Sequence, residues 1–162
     1  MRRLSGCSGA APVNAVQPFI EYTELDGLSD YEMMKNASEF FEGTKISSIG
    51  VTQIADYIDD ISGGKLSTTI MTDPQDVYEA VQNGATFVKL MGNNDLMFTD
   101  KIHWISGMYI NTDGTVHVNS TNAIGAAAQL AGESDYSMET IDSHKWGDPY
   151  LVISINSKNG GN

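Results

Sequence analysis

This chain of 162 residues has one cysteine, four prolines, three histidines and only nine basic residues. Each scarcity removes a class of protein. A single cysteine cannot close an internal disulfide, so this is not a small disulfide scaffold, and the redox compartment stays open. One cysteine and three scattered histidines lack the paired spacing of a zinc site. Nine cations against 21 acids leave a net charge of −12. That argues against nucleic acid and anionic membrane as partners, because both need a cationic face. No apolar run reaches the roughly 18 residues of a membrane span. There is no phosphate loop and no dinucleotide fingerprint, so no cofactor is expected. Asn93-Asn94-Asp95 and Asn111-Thr112-Asp113-Gly114 have the composition of calcium loops but lack the rest of an oxygen cage, so no metal is expected.

What is present is enough to build a core. Hydrophobic residues make up 41% of the chain, which excludes wholesale disorder. The length favours one domain over 1–156, followed by a polar tail at 157–162. Leu4-Ser5-Gly6-Cys7, after Met1-Arg2-Arg3, has the form of a bacterial lipoprotein cleavage box. A signal peptide also needs an apolar stretch of about 7–15 residues, and the start has no room for one. The expectation is a protein without a signal peptide, cytoplasmic or exported by a non-standard route.

The first half reads as helices. Val13, Val16, Phe19 and Ile20 recur at helical spacing behind Cys7. Pro12 is tolerable only in the first turn of such a helix, and Pro18 should kink or end it. Ser29-Asp30-Tyr31-Glu32 has the form of a capping box, followed by an apolar face of Met33, Met34, Ala37, Phe40 and Phe41 that stops at Gly43. A third helix over 50–62 presents Val51, Ile54, Ala55, Ile58 and Ile61. Thr68-Thr69-Ile70 is a short strand. Asp73-Pro74 starts a helix with Val77, Ala80 and Val81, ending at Gly84.

The period then changes. The segments 85–91, 102–110 and 115–119 read as strands, the last two joined by an Asp113-Gly114 hairpin turn. An Ala-rich helix is expected over 122–132, irregular chain over 134–149 and a closing strand over 150–155. Helices first and antiparallel strands after make an α+β pattern.

The residues that carry chemistry are Cys7, His103 and Asn119. A lone Cys near the start, with His and then Asn downstream, is the order of a thiol hydrolase. A helix start and a nearby imidazolium both favour the thiolate. An Asn that accepts from the imidazole fixes its tautomer. Counting back from the hairpin sets residue 122, not Asn119, opposite His103, so direct contact does not follow from register. The side-chain face of His103 continues through Ile105, Gly107 and Tyr109. His117 shares a strand face with Asn119 and is the competing base; His144 lies in the segment expected to be irregular.

The order Cys7, His103-Trp104, Asn119 resembles the papain-like cysteine peptidases, and most the bacteriocin-processing (double-glycine leader) branch. Asp73-Pro74, the strand from Gly84 to Leu90, His103-Trp104, the hairpin from Asp113 to Asn119 and the closing strand Tyr150 to Ile155 all fit that group in order and spacing. The resemblance implies N-terminal helices packed on an antiparallel sheet. It implies hydrolysis of a peptide or amide bond through a Cys7-His103-Asn119 triad, with a peptide or protein as substrate and no cofactor. Trp104 and Tyr109 would line or support the groove. The chain departs from the family in three places. Pro12 stands five residues after Cys7, no Gln precedes Cys7, and Asn119 replaces the commoner Asp. Backbone N–H groups at Cys7 or Ser8 would then hold the oxyanion. Two other readings share these residues: an inactive relative acting as an acidic binding or inhibitor module, and an acyltransferase using the same triad.

Overall fold

The computed structural model describes residues 6–92, 103–120 and 133–157, with the backbone alone at 6–8 and 133. The N-terminal helix α1 (Gly6–Ala15) contains Pro12 in its second turn rather than its first. The ring leaves one carbonyl of the preceding turn without its helical partner, yet the helix continues because Val16 N–H still bonds to the Pro12 carbonyl at 3.1 Å. A 3₁₀ segment over Gln17–Tyr22 follows, with Pro18 in its first turn.

Helix α2 (Asp30–Phe40) starts where Ser29 Oγ accepts from Glu32 N–H. The Glu32 carboxylate accepts from the Ser29 hydroxyl rather than from its backbone, a variation on the expected box. Helix α3 (Val51–Ser62) has Gly50 as its N-cap and ends at Gly63, whose φ of 58° suits glycine. Strand β1 (Leu66–Met71) leads to α4 (Pro74–Gln82), whose N-cap Asp73 accepts from Gln75 N–H.

Strands β2 (Thr86–Met91), β3 (His103–Ile110) and β4 (Val116–Asn119) follow. The stretch 134–149 is not irregular. It holds β5 (Glu133–Tyr136), α5 (Met138–Ser143) capped by Ser137, and the first five residues of the closing strand β6 (Lys145–Ile155). Charged and polar residues obscured this, since β5 reads Glu-Ser-Asp-Tyr and gains its place from pairing, not propensity. The Ala-rich helix expected over 122–132 and, beyond Ser157, the tail expected over 157–162 lie outside the described residues.

One antiparallel sheet runs β1-β6-β2-β3-β4-β5. Its two sides bury separate clusters. Val88, Trp104, Leu151 and Ile153 join the apolar faces of α1, α2 and α3. Phe87, Met91, Ile105, Val116 and Val118 join α4 and Ile141 of α5. Helix α1 packs along β3 and β2. Its last turn is tied down by Thr86 Oγ1, which donates to the Ala15 carbonyl at 2.7 Å in the buried interior.

Lys89 is the unexpected core residue. It is fully buried in the middle of β2, and its ammonium donates to the carbonyls of Leu90, Trp146 and Gly147 at 3.0, 3.3 and 2.9 Å. It also lies 5.1 Å from the centre of the Tyr150 ring. Between Lys89↔Tyr150 and Met91↔Lys145 the β2–β6 register shifts, so Trp146 to Pro149 bulge outward. Lys89 plugs that bulge. Burial, with Lys145 adding to it, lowers the Lys89 pKa from 10.5 to about 8. Below pH 8 the group is charged in both states and its desolvation weakens the fold. The penalty is relieved as pH rises toward 10.5, where the unfolded chain also loses the proton. Between pH 7.5 and 9.5 the wild type should gain about 2 kcal/mol relative to Lys89→Met, read from urea unfolding at the two pH values. A flat difference would show that Lys89 is not desolvated.

Candidate active site

His103 is the first residue of β3, half-buried and opposite Met91. Its ring Nε2 lies against the carbonyl oxygen of Ser120. A carbonyl only accepts, so Nε2 carries the hydrogen and Nδ1 is the basic nitrogen of the neutral ring. Asn119 ends β4 and is 6% exposed. It stands opposite Ser106, not His103. Continued without further change, that register sets residue 122 opposite His103, as counting from the turn requires. The His103 ring meets the carbonyl of Ser120, the residue just past the end of β4.

A bulge between Gly107 and Tyr109 changes which side chains share a side. Val116 and Val118 face α4, so His117 and Asn119 face the α1 side. Tyr109, opposite His117, faces the α1 side too, and does not continue the face of Ile105 and Gly107 as unbroken alternation requires. At the other end, alternation sets His103 on the side of Met91, the α4 side. Gly107 must lack a side chain for another reason. A Cβ there would meet the Phe87 ring at 2.1 Å.

The competing histidines are engaged elsewhere. His117 Nδ1 bonds to Asp135 Oδ1 at 2.8 Å, and its ring stacks on Tyr109 with centroids 4.6 Å apart. Hydrogen bonds from His117 and then Asn111 hold the Asp135 carboxyl below its ordinary pKa. His144 ends α5, where its Nδ1 donates to the Thr140 carbonyl at 2.9 Å. Trp104 is core, 5% exposed, whereas Tyr109 is 50% exposed. Cys7 is the second residue of α1, in its first turn, and its side chain lies outside the described residues. Among the described residues no cluster of metal-ligating side chains occurs. A cavity of about 510 Å³ lies between the start of α4, Gly114 and α5, lined by Asp73, Tyr78, Met138 and Glu139 among others. It touches none of the three candidate catalytic residues.

No family model matches the sequence, and no curated protein matches it significantly. Solved structures do match. The peptidase domain of Streptococcus ComA, a bifunctional ABC transporter involved in a quorum-sensing pathway, aligns with a TM-score of 0.58 at 10% identity, covering 96% of this chain and 93% of that one. The fold is that of a C39-type peptidase domain. A C39-like peptidase from Bacillus anthracis aligns with a TM-score of 0.58 at 11% identity, covering 94% of this chain and 90% of that one. The C39-type fold thus extends over nearly the whole chain.

Two features of this end of the sheet escaped sequence reasoning: the bulge at 146–149 and the exposed Trp146 it carries. Only the isolated charge of Lys89 inside an otherwise apolar run signalled them. The tautomer is directly testable. Nitrogen-15 spectra of the neutral protein should show His103 as the Nε2–H form, and the Nδ1–H form would show that the Ser120 carbonyl is not its partner.

Proposed function

We propose that this chain is a thiol hydrolase that cleaves a peptide or amide bond. The observation that carries the reading is the C39-type peptidase fold together with the chain order it threads: Cys7 in the first turn of α1 and the His103 ring at the Ser120 carbonyl, next to Asn119. The tie between Ala15 and Thr86 supports it. Eight helical residues back from Ala15 span about 12 Å. The register that sets Phe87 opposite Gly107 sets Thr86 opposite Met108, and the five steps from Met108 to His103 span about 17 Å. Helix α1 running back along β3 would therefore bring its first turn toward the His103 end, about 5 Å short of it along the strand.

In this reading the α1 N-terminus and the imidazolium of His103 favour the Cys7 thiolate. The sulfur attacks the substrate carbonyl, and as the C–N bond breaks the His103 imidazolium gives its proton to the leaving amine. Water, deprotonated by the same imidazole, resolves the acyl-enzyme. Backbone N–H groups at the head of α1 hold the developing oxyanion. Asn119 and the Ser120 carbonyl keep Nε2–H engaged, so that Nδ1 faces the thiol. Acyl transfer to an amine would use the same acyl-enzyme.

Alkylation of Cys7 by iodoacetamide across pH tests this. Wild type should react readily at pH 6, far below the ordinary thiol pKa near 8.5. His103→Ala should restore the ordinary profile, and Asn119→Ala should shift it part of the way. Identical profiles titrating near 8.5 in wild type and His103→Ala would sink the proposal.

A further inference from the structure

Trp146 is 57% exposed, the most solvent-accessible aromatic after Tyr31 among the described residues. Its backbone is nonetheless held. It opens the outward bulge of β6, where Lys89 holds the Trp146 and Gly147 carbonyls, and Gly147 has a φ of 75° that favours glycine. The buried ammonium therefore fixes the backbone on which an exposed indole stands.

The indole has a definite side. Gly92 N–H bonds to the His144 carbonyl at 2.9 Å, which docks the start of β6 against the end of β2. Leu90 belongs to the α1 cluster and Met91 to the α4 cluster, so Gly92 presents its missing side chain toward α1. A Cβ on Gly92 would meet Trp146 Cε3 at 3.6 Å. Trp146 therefore lies over Gly92 on the α1 side of the sheet. Met91 pairs with Lys145 on one flank and His103 on the other. Two strand spacings of about 4.8 Å place the Trp146 backbone roughly 10 Å from that of His103. An extended peptide advances about 3.3–3.6 Å per residue, so that gap is three residues.

We infer that Trp146 is a specificity-determining residue that receives an apolar side chain of the substrate about three residues from the scissile bond, with Lys89 as the residue that positions it. The inference rests on the thiol-hydrolase reading. An apolar ligand is indicated because the indole face and the bare Gly92 backbone beside it offer contact area and no charge. The carboxylates of Asp142 and Asp148 are turned to Lys145, at 3.2 Å each.

The test compares two peptides that alkylate a reactive thiol, the sulfur displacing chloride from each: acetyl-Phe-Gly-Gly and acetyl-Gly-Gly-Gly chloromethyl ketones. Glycine is used next to the reactive group because it adds no side chain that could clash. Wild type should react about tenfold faster with the Phe reagent, the effect of one well-placed apolar contact. Trp146→Ala should cut the preference to within about twofold, Trp146→Phe should keep most of it, and both should leave the iodoacetamide rate unchanged. An undiminished preference in Trp146→Ala, or no preference in wild type, overturns the inference while the hydrolase reading stands. An ordinary thiol profile for iodoacetamide in wild type and His103→Ala fells both.

Discussion

The arrangement depends on where β3 is held. Its neighbours fix it from both flanks, Phe87↔Gly107 on β2 and Ser106↔Asn119 on β4. A slip of one residue on either flank would turn every side chain of β3 over. Trp104 would leave the α1 cluster, and Ile105 would leave the α4 cluster. Gly107 guards that register sterically, because the Phe87 ring lies where a side chain there would start. The position of His103 relative to Asn119 is thus a consequence of core packing more than of any bond between the two.

The second constraint is electrostatic. A charged group at the centre of a sheet normally weakens it. Here it is tolerated because three carbonyls converge on the ammonium. The bulge and the lysine are each unfavourable alone and compensate each other. Tyr150 adds a ring face to the ammonium, while its own hydroxyl donates to Asp142 at 2.8 Å. Burial and that carboxylate raise the Tyr150 pKa well above the ordinary phenol value. The result is a stiff joint between β2, β6 and α5.

Much of the fold was legible because its helices announce themselves. Ser29, Asp73 and the glycines at 50 and 63 mark helix ends by capping chemistry that acts locally, and the structure keeps each of them. The hairpin at Asp113-Gly114 was equally local. What stayed hidden was set by distant partners. β5 exists because β4 offers it a ladder, and the start of β6 exists because Gly92 and Lys89 capture it. Cys7, His103 and Asn119 were legible as residue types in a chemically sensible order. The bulge at residue 108, which decides that Tyr109 shares a side with Asn119, has no signature in the letters around it.

The two edges of the sheet are unlike. β1 reads Leu-Ser-Thr-Thr-Ile-Met and carries no charge, and its Ile70 is 52% exposed. β5 carries Glu133 and Asp135 in four residues. Two molecules meeting edge to edge through β5 would bring two acidic strands together, whereas two meeting through β1 would bring together, among the described residues, two uncharged edge strands. With a net charge of −12, long-range repulsion guards β1 at low ionic strength. Salt removes that guard first, because it screens charge over about 10 Å at 0.1 M and leaves backbone pairing untouched. Crowding in saline media therefore bears on one flank of this protein and spares the other.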